Sequence, residues 1–584
     1  MTKLFRYLKK YWLAIALAIV FVVIQCWGQL TLPDLMSDIV NGIPAASMSN
    51  DLSELYRTGG KMLAVSGIIA GVTILATLFA ARTAAGFAKD LRQALFEKVE
   101  NYSLHEFDTI GTASLITRTT NDVMQLQQLV VMGMRMMMMA PIMCIWGIIK
   151  AIESAPQLTW ILAVIIAALL VVVWIVASKT IPVFQILQKK LDRLNLVMRE
   201  KLTGIRVIRA FNKQSYEKKR FDGSNQDLTD TAVRVNRTVA ILMPAVMIGM
   251  NLATVAIMWF GSKGIDTMGL ELGTLMAFVQ YAMQVMFAII ACAMIFVMLP
   301  RALASAKRVN EVLDMETEIK DPVVQSDAEM KKGFVEFKNV SFQYPGAEEP
   351  TLRDISFKTE PGQVTAIIGG TGSGKSTILN LILRFYDVTQ GQVLVNGVDV
   401  RQLSQECLRA QISYVPQKQI LFSGTVSDNI RNGQLDATEE EIRHAAVVAQ
   451  ADGFISEMEN GYGSPIAQGG TNVSGGQRQR LAVARAVIRK APVYLFDDTF
   501  SALDFKTESK LRAALFEETK ESAVIIVGQR VSSIMSADQI LVLDDGCVVG
   551  LGTHKELLDT CEVYREIVES QLSQDEIAEG GPWI

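Results

Sequence analysis

Charge is scarce in this chain of 584 residues: Asp, Glu, Lys and Arg make up 20% of it. A typical soluble domain carries about 25%. The deficit is local, because 11–33, 62–81, 136–149, 154–178, 238–262 and 272–300 contain no charged residue at all. A helix needs about 20 mostly apolar residues to cross a bilayer. Five windows are long enough outright, and the third gains its length by extension back past Arg135 to Val130. A purely soluble enzyme and a secreted protein are thereby excluded. Cysteine is sparse too. The six (Cys26, Cys144, Cys292, Cys407, Cys547 and Cys561) show no C-x-x-C spacing, which suits reduced structural thiols rather than a disulfide framework or a zinc site. A net charge of −4 with a pI near 5.7 leaves no footprint for nucleic acid, and none is expected as a partner. Histidine is rarest of all, with only His105, His444 and His554. The basic start (Lys3, Arg6, Lys9, Lys10) runs into an apolar stretch too long for a signal h-region, so no cleavable leader is expected.

What is present divides into two halves. Lys and Arg concentrate on the cytoplasmic side of membrane proteins. Segment 34–61 carries only Arg57 and Lys61 against four acidic residues, whereas 179–237 carries fourteen Lys and Arg. The amino terminus, the two long connections (82–125 and 179–237) and the carboxyl-terminal half are therefore expected on one side, the cytoplasm. In both connections apolar positions recur every three or four residues, as from Leu91 to Tyr102 and from Phe184 to Ile208. That spacing predicts membrane helices prolonged into the cytoplasm. Residues 301–332 read as a linker, helical at first and breaking near Asp321-Pro322. From Gly333 the texture changes: short β-rich runs such as Val364–Ile368, Val493–Phe496 and Ala523–Val527 alternate with helical stretches. The expected architecture is a six-helix α-helical transmembrane domain (1–300) fused to an α/β P-loop nucleotide-binding domain (333–584).

The run AIIGGTGSGKST (366–377) carries the chemistry. Gly369-x-x-x-x-Gly374-Lys375-Ser376 follows an apolar strand and precedes the helical pattern Ile378–Phe385. In such a loop the backbone N–H groups close around phosphates, the lysine reaches the β and γ oxygens, and the hydroxyl ligates magnesium. A second apolar strand ends in Asp497, placed to hold magnesium through water. Between them, Ser474-Gly475-Gly476-Gln477 opens a helix whose positively polarised start suits an anion.

Taken together these motifs resemble the ATP-binding cassette (ABC) exporter family, as a half-transporter. The resemblance implies ATP and Mg2+ as cofactors. It assigns Gly369, Gly370, Thr371, Gly372, Ser373, Gly374, Lys375, Ser376 and Thr377 to the phosphate loop, and Gln417 in SYVPQ to the magnesium-contacting Q-loop. It likewise makes 473–477 the signature, Asp497 the Walker B aspartate, Ser501–Asp504 the D-loop, and Tyr344 the ring that stacks on adenine. Ser376, Gln417 and Asp497 would be the metal contacts. FDTIGTASLITRTTNDV (107–123) and EKLTGIRVIRAFN (200–212) resemble the two coupling regions.

Two positions depart from the family, and both belong to the hydrolytic step. Asp498 stands where an active cassette has the glutamate that orients or deprotonates water, and Gln529 stands where it has the switch histidine. Aspartate is shorter by one C–C bond, about 1.5 Å. General-base contacts work at about 2.6–3.2 Å, and a 1 Å misplacement costs on the order of a hundredfold in rate. Glutamine donates and accepts hydrogen bonds but does not shuttle a proton. The signature is intact, however. In this family each ATP lies between one Walker A and the opposite signature, so the expected assembly is a heterodimer. This chain's own Walker motifs form a slow, degenerate site, and its signature completes a competent one with a partner that has both glutamate and histidine. The pattern is similar to heterodimeric bacterial multidrug exporters.

The expected cargo is a small hydrophobic or amphiphilic compound, with lipid, lipopeptide or peptide export as the alternative, and a homodimeric slow ATPase or sensor after that. A peptide-processing exporter is disfavoured because no peptidase segment precedes the first helix, and a sensor because no insert stands between Pro300 and Gly333. Methionines crowd helix three (Met132, Met134, Met136–Met139, around Arg135) and helix six (Met276, Met283, Met286, Met294, Met298). Methionine suits promiscuous binding surfaces, although lipid-facing or helix-packing positions explain many of them. The resemblance implies the plasma (inner) membrane, among lipid.

Overall fold

The computed structural model describes residues 3–268, 270–322 and 333–572. It resolves into two compact units, Met1–Glu100 with Thr112–Met315, and Asn101–Gly111 with Glu316–Ile584.

The described residues of the first unit are helical apart from short connections. Among the described residues six helical spans are long and apolar enough to cross a membrane: Phe5–Met48, Ser53–Glu100, Thr112–Ser154, Pro156–Thr180, Gln214–Lys263 and Leu272–Cys292. Several run on well past their apolar windows. The second span has 48 residues, roughly 72 Å at 1.5 Å per residue, against a hydrocarbon core of about 30 Å. The helix that begins at Pro156 continues to Thr203, and the sixth continues to Asp314. The charged, helix-periodic ends thus prolong the spans as the spacing predicts. The third span is interrupted by two π segments, Arg118–Asp122 and Gly133–Met137. The sixth is the interior one: 44% of its apolar window is buried, against 6% for the second. Its Leu275, Phe278, Tyr281 and Ala282 meet Cys26 and Leu30 of the first helix and Met143 and Ala151 of the third.

The sixth helix stops at Asp314, earlier than the break expected near Asp321-Pro322. Tertiary contacts decide this. Within the second unit, Glu318 donates its backbone N–H to Glu106 Oε1 at 3.1 Å, Ile319 is buried, and Arg384 donates to the Lys320 carbonyl. Segment 316–320 is irregular chain with a bend at Glu318. Of the linker, 301–314 is helix of the first unit, and 323–332 lies outside the described residues.

The rest of the second unit is built on a six-stranded sheet in the order Cys547–Gly552, Gln539–Asp544, Val364–Gly369, Ala523–Val527, Val493–Asp497, Ile412–Val415. All neighbours are parallel except the first pair. Every residue of Val493–Asp497 is buried. Parallel strands covered on both faces read as unbroken apolar runs, which is why these strands were legible. A second, antiparallel sheet (Leu352–Thr359, Val335–Phe342, Gln390–Val395, Val398–Asp399) packs its inner face on the same core. Its strand LRDISFKT was not among the expected runs: it alternates buried and exposed residues and carries three charges.

Candidate nucleotide site

Three neighbouring parallel strands bring their carboxyl ends together. Val364–Gly369 ends in the phosphate loop, Val493–Asp497 in the two aspartates, and Ala523–Val527 in Gly528-Gln529. Ligands of open α/β sheets bind at such strand ends.

The loop has the shape its glycines dictate. A Cβ on Gly369 would collide with the Leu543 carbonyl oxygen of the adjacent strand. Gly374 has φ +94°, in the left-handed region open to glycine, and from it the helix Lys375–Ile382 departs. Lys375 Nζ donates to the carbonyl oxygens of Gly369 (2.9 Å) and Gly370 (2.7 Å), which holds the ammonium over the loop. Burial lowers its pKa, opposed by the charges of Asp497 and Asp498. Ser376 Oγ donates to Asp497 Oδ1 at 3.2 Å, joining loop to second strand. Asp497 is buried, and burial raises its pKa, with Asp498 adding to the rise and Ser376 and Lys375 opposing it.

These groups fit a phosphate with its cation. Ser373 Oγ is buried in the loop with no hydrogen-bond partner, as a donor meant for an oxyanion would be. No three His, Cys, Asp or Glu side chains converge among the described residues. A hard cation here takes one hydroxyl, one carboxylate, and oxygens of nucleotide and water, which is how magnesium is held.

Tyr344 is half-buried, with its ring edge-on to Phe342 (4.8 Å) and Tyr386 (5.1 Å). Its hydroxyl pairs with Thr377 Oγ1 at 3.1 Å, so the ring is tied to the first turn of the loop helix. Thr371 and Gly372 complete the loop, Gly372 with φ +87°.

Asp498 is the least ordinary position. Its φ of +48° lies in the left-handed region, and its N–H donates to the Val527 carbonyl at 2.9 Å. Both Gln417 Nε2 (3.4 Å) and Gln529 Nε2 (3.1 Å) donate to the same oxygen, Asp498 Oδ2. The two departures from the family pattern are therefore in direct contact, and the Q-loop residue joins them. The Gln529 loop is held in turn by Gln571, the last residue of the helix Glu562–Gln571, which donates to the Gln529 carbonyl (2.9 Å) and accepts from Val531 N–H (2.8 Å). Gln571 was not foreseen: it lies 42 residues from Gln529, and no motif marks it.

The signature residues lie apart from the loop cluster. Ser474 caps the helix Gly475–Val487 in a reciprocal box, accepting from Gln477 N–H (3.2 Å) while Gln477 Oε1 accepts from Ser474 N–H (2.9 Å). Ser474 and Gly475 are exposed. A Cβ on Gly476 would press on the Ala502 carbonyl, so this helix start abuts the D-loop. Asp504 caps the next helix by accepting from Thr507 N–H at 3.0 Å, a bond that lowers its pKa.

The methionines divide by role. Met134 and Met286 are in the packed interior, and Met132, Met137, Met138 and Met276 are exposed. Met136 and Met139 line a cavity of about 620 Å³ with Phe287. Arg135 is exposed, and the side chains of Met294 and Met298 lie outside those described.

Comparison with known proteins gives one answer. The model of the ABC transporter transmembrane region matches residues 15–289, and the ABC transporter model matches 352–501. An uncharacterised ABC transporter ATP-binding protein of Mycobacterium tuberculosis is 41% identical over 570 residues, 97% of each chain. Another, of Bacillus subtilis, is 36% identical over 98% of this chain and 99% of its own. The ATP-dependent lipid A-core flippase of Pseudomonas aeruginosa is 33% identical over 83% of this chain and 80% of its own. A bacterial Atm1-family ABC exporter solved with ATP bound superposes with a TM-score of 0.81, covering 96% of this chain and 98% of that one at 23% identity, and so shares the fold. The chain belongs to the ABC transporter family, as an exporter half-transporter whose six-helix transmembrane domain is fused to the ATPase domain that drives transport.

Proposed function

We propose that this chain is the degenerate-site subunit of a heterodimeric exporter of hydrophobic or amphiphilic compounds. One observation carries the reading: Asp498, a methylene short of glutamate, has one carboxylate oxygen occupied by the amides of Gln417 and Gln529. A base must reach its proton, and this oxygen is turned to two donors instead. Neither glutamine supplies the proton transfer that histidine would. Lys375, Ser373 and the loop N–H groups bind and orient the phosphates. Ser376 with Asp497, and Gln417 beside them, would hold the magnesium. When bound, that ion neutralises phosphate charge and orients the terminal oxygens. The site thus binds ATP well and turns it over slowly.

The exposed Ser474–Gln477 turn supports the other half of the reading. Its helix start faces outward, available to a nucleotide held by a partner half-transporter whose glutamate and histidine are intact. Residues 1–300 form the transport unit and 333–584 the motor. The Lys and Arg bias puts the amino terminus and the motor in the cytoplasm, with the spans in the plasma (inner) membrane. Lipid export is the second reading, favoured by the 33% identity to a lipid A-core flippase.

ATPase activity of the chain alone and paired with an intact half-transporter tests this. The expected result is slow hydrolysis alone and fast hydrolysis in the pair. Asp498→Glu with Gln529→His should raise turnover of the lone chain by at least about tenfold, given that a 1 Å misplacement costs on the order of a hundredfold. Fast hydrolysis by the unaltered chain alone overturns the proposal.

A further inference from the structure

The transmembrane cavity of about 620 Å³ is of the size that holds a drug-sized molecule. Met36, Met62, Met136, Met139 and Met143 line it from the first three membrane helices. Flexible thioethers let such a wall adapt to shape. None of its described lining residues is charged. Arg135, the cation nearest in sequence to Met136, is exposed and not part of the wall. Asp34, next to the lining residue Pro33, is already engaged: Lys150 Nζ is 3.1 Å from its Oδ2, and Tyr281 donates to its Oδ1. The described wall residues of this chain offer a charged ligand no counter-ion, and an unpaired charge in such a site is costly.

The polar part of the wall has a cause in the sequence. Pro33 lies inside the first helix and has no N–H, so the carbonyl of Gln29, four residues earlier, loses its helical donor. Gln284 of the sixth helix supplies the replacement, with Nε2 donating to Gln29 O at 3.2 Å. That bond decides which end of the Gln284 amide faces which way. Its Oε1 is left buried with no hydrogen-bond partner, on a residue that lines the cavity. A buried acceptor without a donor is unfavourable until a donor arrives.

We infer that this cavity binds uncharged amphiphiles carrying an N–H or O–H donor, received by Gln284 Oε1, and that Pro33 is the residue that frees this oxygen for them. The inference rests on the exporter reading above, and narrows its cargo from hydrophobic compounds in general to neutral ones with a donor.

The test uses the assembled pair in lipid nanodiscs without nucleotide and three dansyl probes of equal chain length. One is the neutral dodecyl sulfonamide with its N–H, one is its N-methyl analogue, and one ends in trimethylammonium. Saturable fluorescence above that of empty nanodiscs reports binding. The N–H probe should bind about fivefold more tightly than the N-methyl probe, the factor for one net hydrogen bond. The ammonium probe should bind more weakly than either. Gln284→Leu should erase the difference between the first two. Pro33→Ala restores a helical donor for Gln29 and should shrink it, and Ala291→Phe should weaken both by filling the cavity. Equal affinity of the N–H and N-methyl probes for the unaltered protein overturns the inference, as does tightest binding by the ammonium. ATP-driven accumulation in inside-out vesicles separates the two readings. Selective binding without accumulation sinks the exporter reading alone, and accumulation without selectivity sinks the cavity inference alone.

Discussion

At the scale of single residues, the carboxylates of the nucleotide site differ because their surroundings differ. Asp497 is buried and tied to Ser376, while Asp498 sits half-buried in a left-handed turn between two amides. Burial raises the Asp497 pKa, which has a readable consequence. The cation needs the ionised carboxylate, so magnesium-dependent ATP binding is complete above the raised pKa and is lost as pH falls through it. The loss should begin at a higher pH than for an ordinary aspartate of about 3.9. Nucleotide affinity measured against pH, with and without magnesium, checks this, and Asp497→Asn should abolish the pH step. Glycine spacing alone located the loop. That Gln417, Asp498 and Gln529 touch was not legible, since 81 and 31 residues separate the glutamines from the aspartate.

At the scale of elements, the helix Glu562–Gln571 shows how a distant segment reaches the chemistry. Its Tyr564 and Val568 are buried against Ala366 and Ile368 of the phosphate-loop strand and Val531 of the switch segment. Gln571 at its end then fixes the backbone on both sides of Arg530. Gln571→Ala removes both hydrogen bonds, should cost about 2 kcal/mol at about 1 kcal/mol net for each, and should loosen Gln529 against Asp498. Thermal unfolding and the ATP dissociation rate would both register it. Gln571→Glu keeps the acceptor for Val531 but not the donor to Gln529, and should fall between. The helix Leu104–Ile110 is equally particular. Burial alone would raise the pKa of Glu106, but its bonds with Ser103 and the Glu318 N–H outweigh burial and lower it. The Ser103-x-x-Glu106 capping pattern is local and readable. Its third partner, Glu318, lies 212 residues away and is not.

At the scale of the whole molecule, asymmetry is the property to probe. In a heterodimer, Lys375→Ala in this chain strikes only the slow site, and the pair should keep most of its ATP turnover. Ser474→Ala in the same chain strikes the site completed with the partner, and turnover should fall steeply. A homodimer would lose activity with either change. Steady-state ATPase of the two variant pairs, measured side by side, decides the matter.

Much of this protein was written locally. Charge-free windows of bilayer length, parallel strands buried on both faces, and glycine spacing before a lysine each follow from neighbouring residues under a single constraint, whether lipid, packing or phosphate. Six spans, the central strands and the phosphate loop could therefore be read along the chain. Tertiary structure alone decided what depends on residues far apart meeting. Segment 316–320 became non-helical chain because Glu106 and Arg384 hold it, Gln571 became a clamp on the Gln529 loop, and Gln284 acquired an unpaired oxygen because Pro33 leaves Gln29 without a helical donor. Hydrogen bonds satisfy whichever partner folding brings near, and sequence spacing carries no record of that choice.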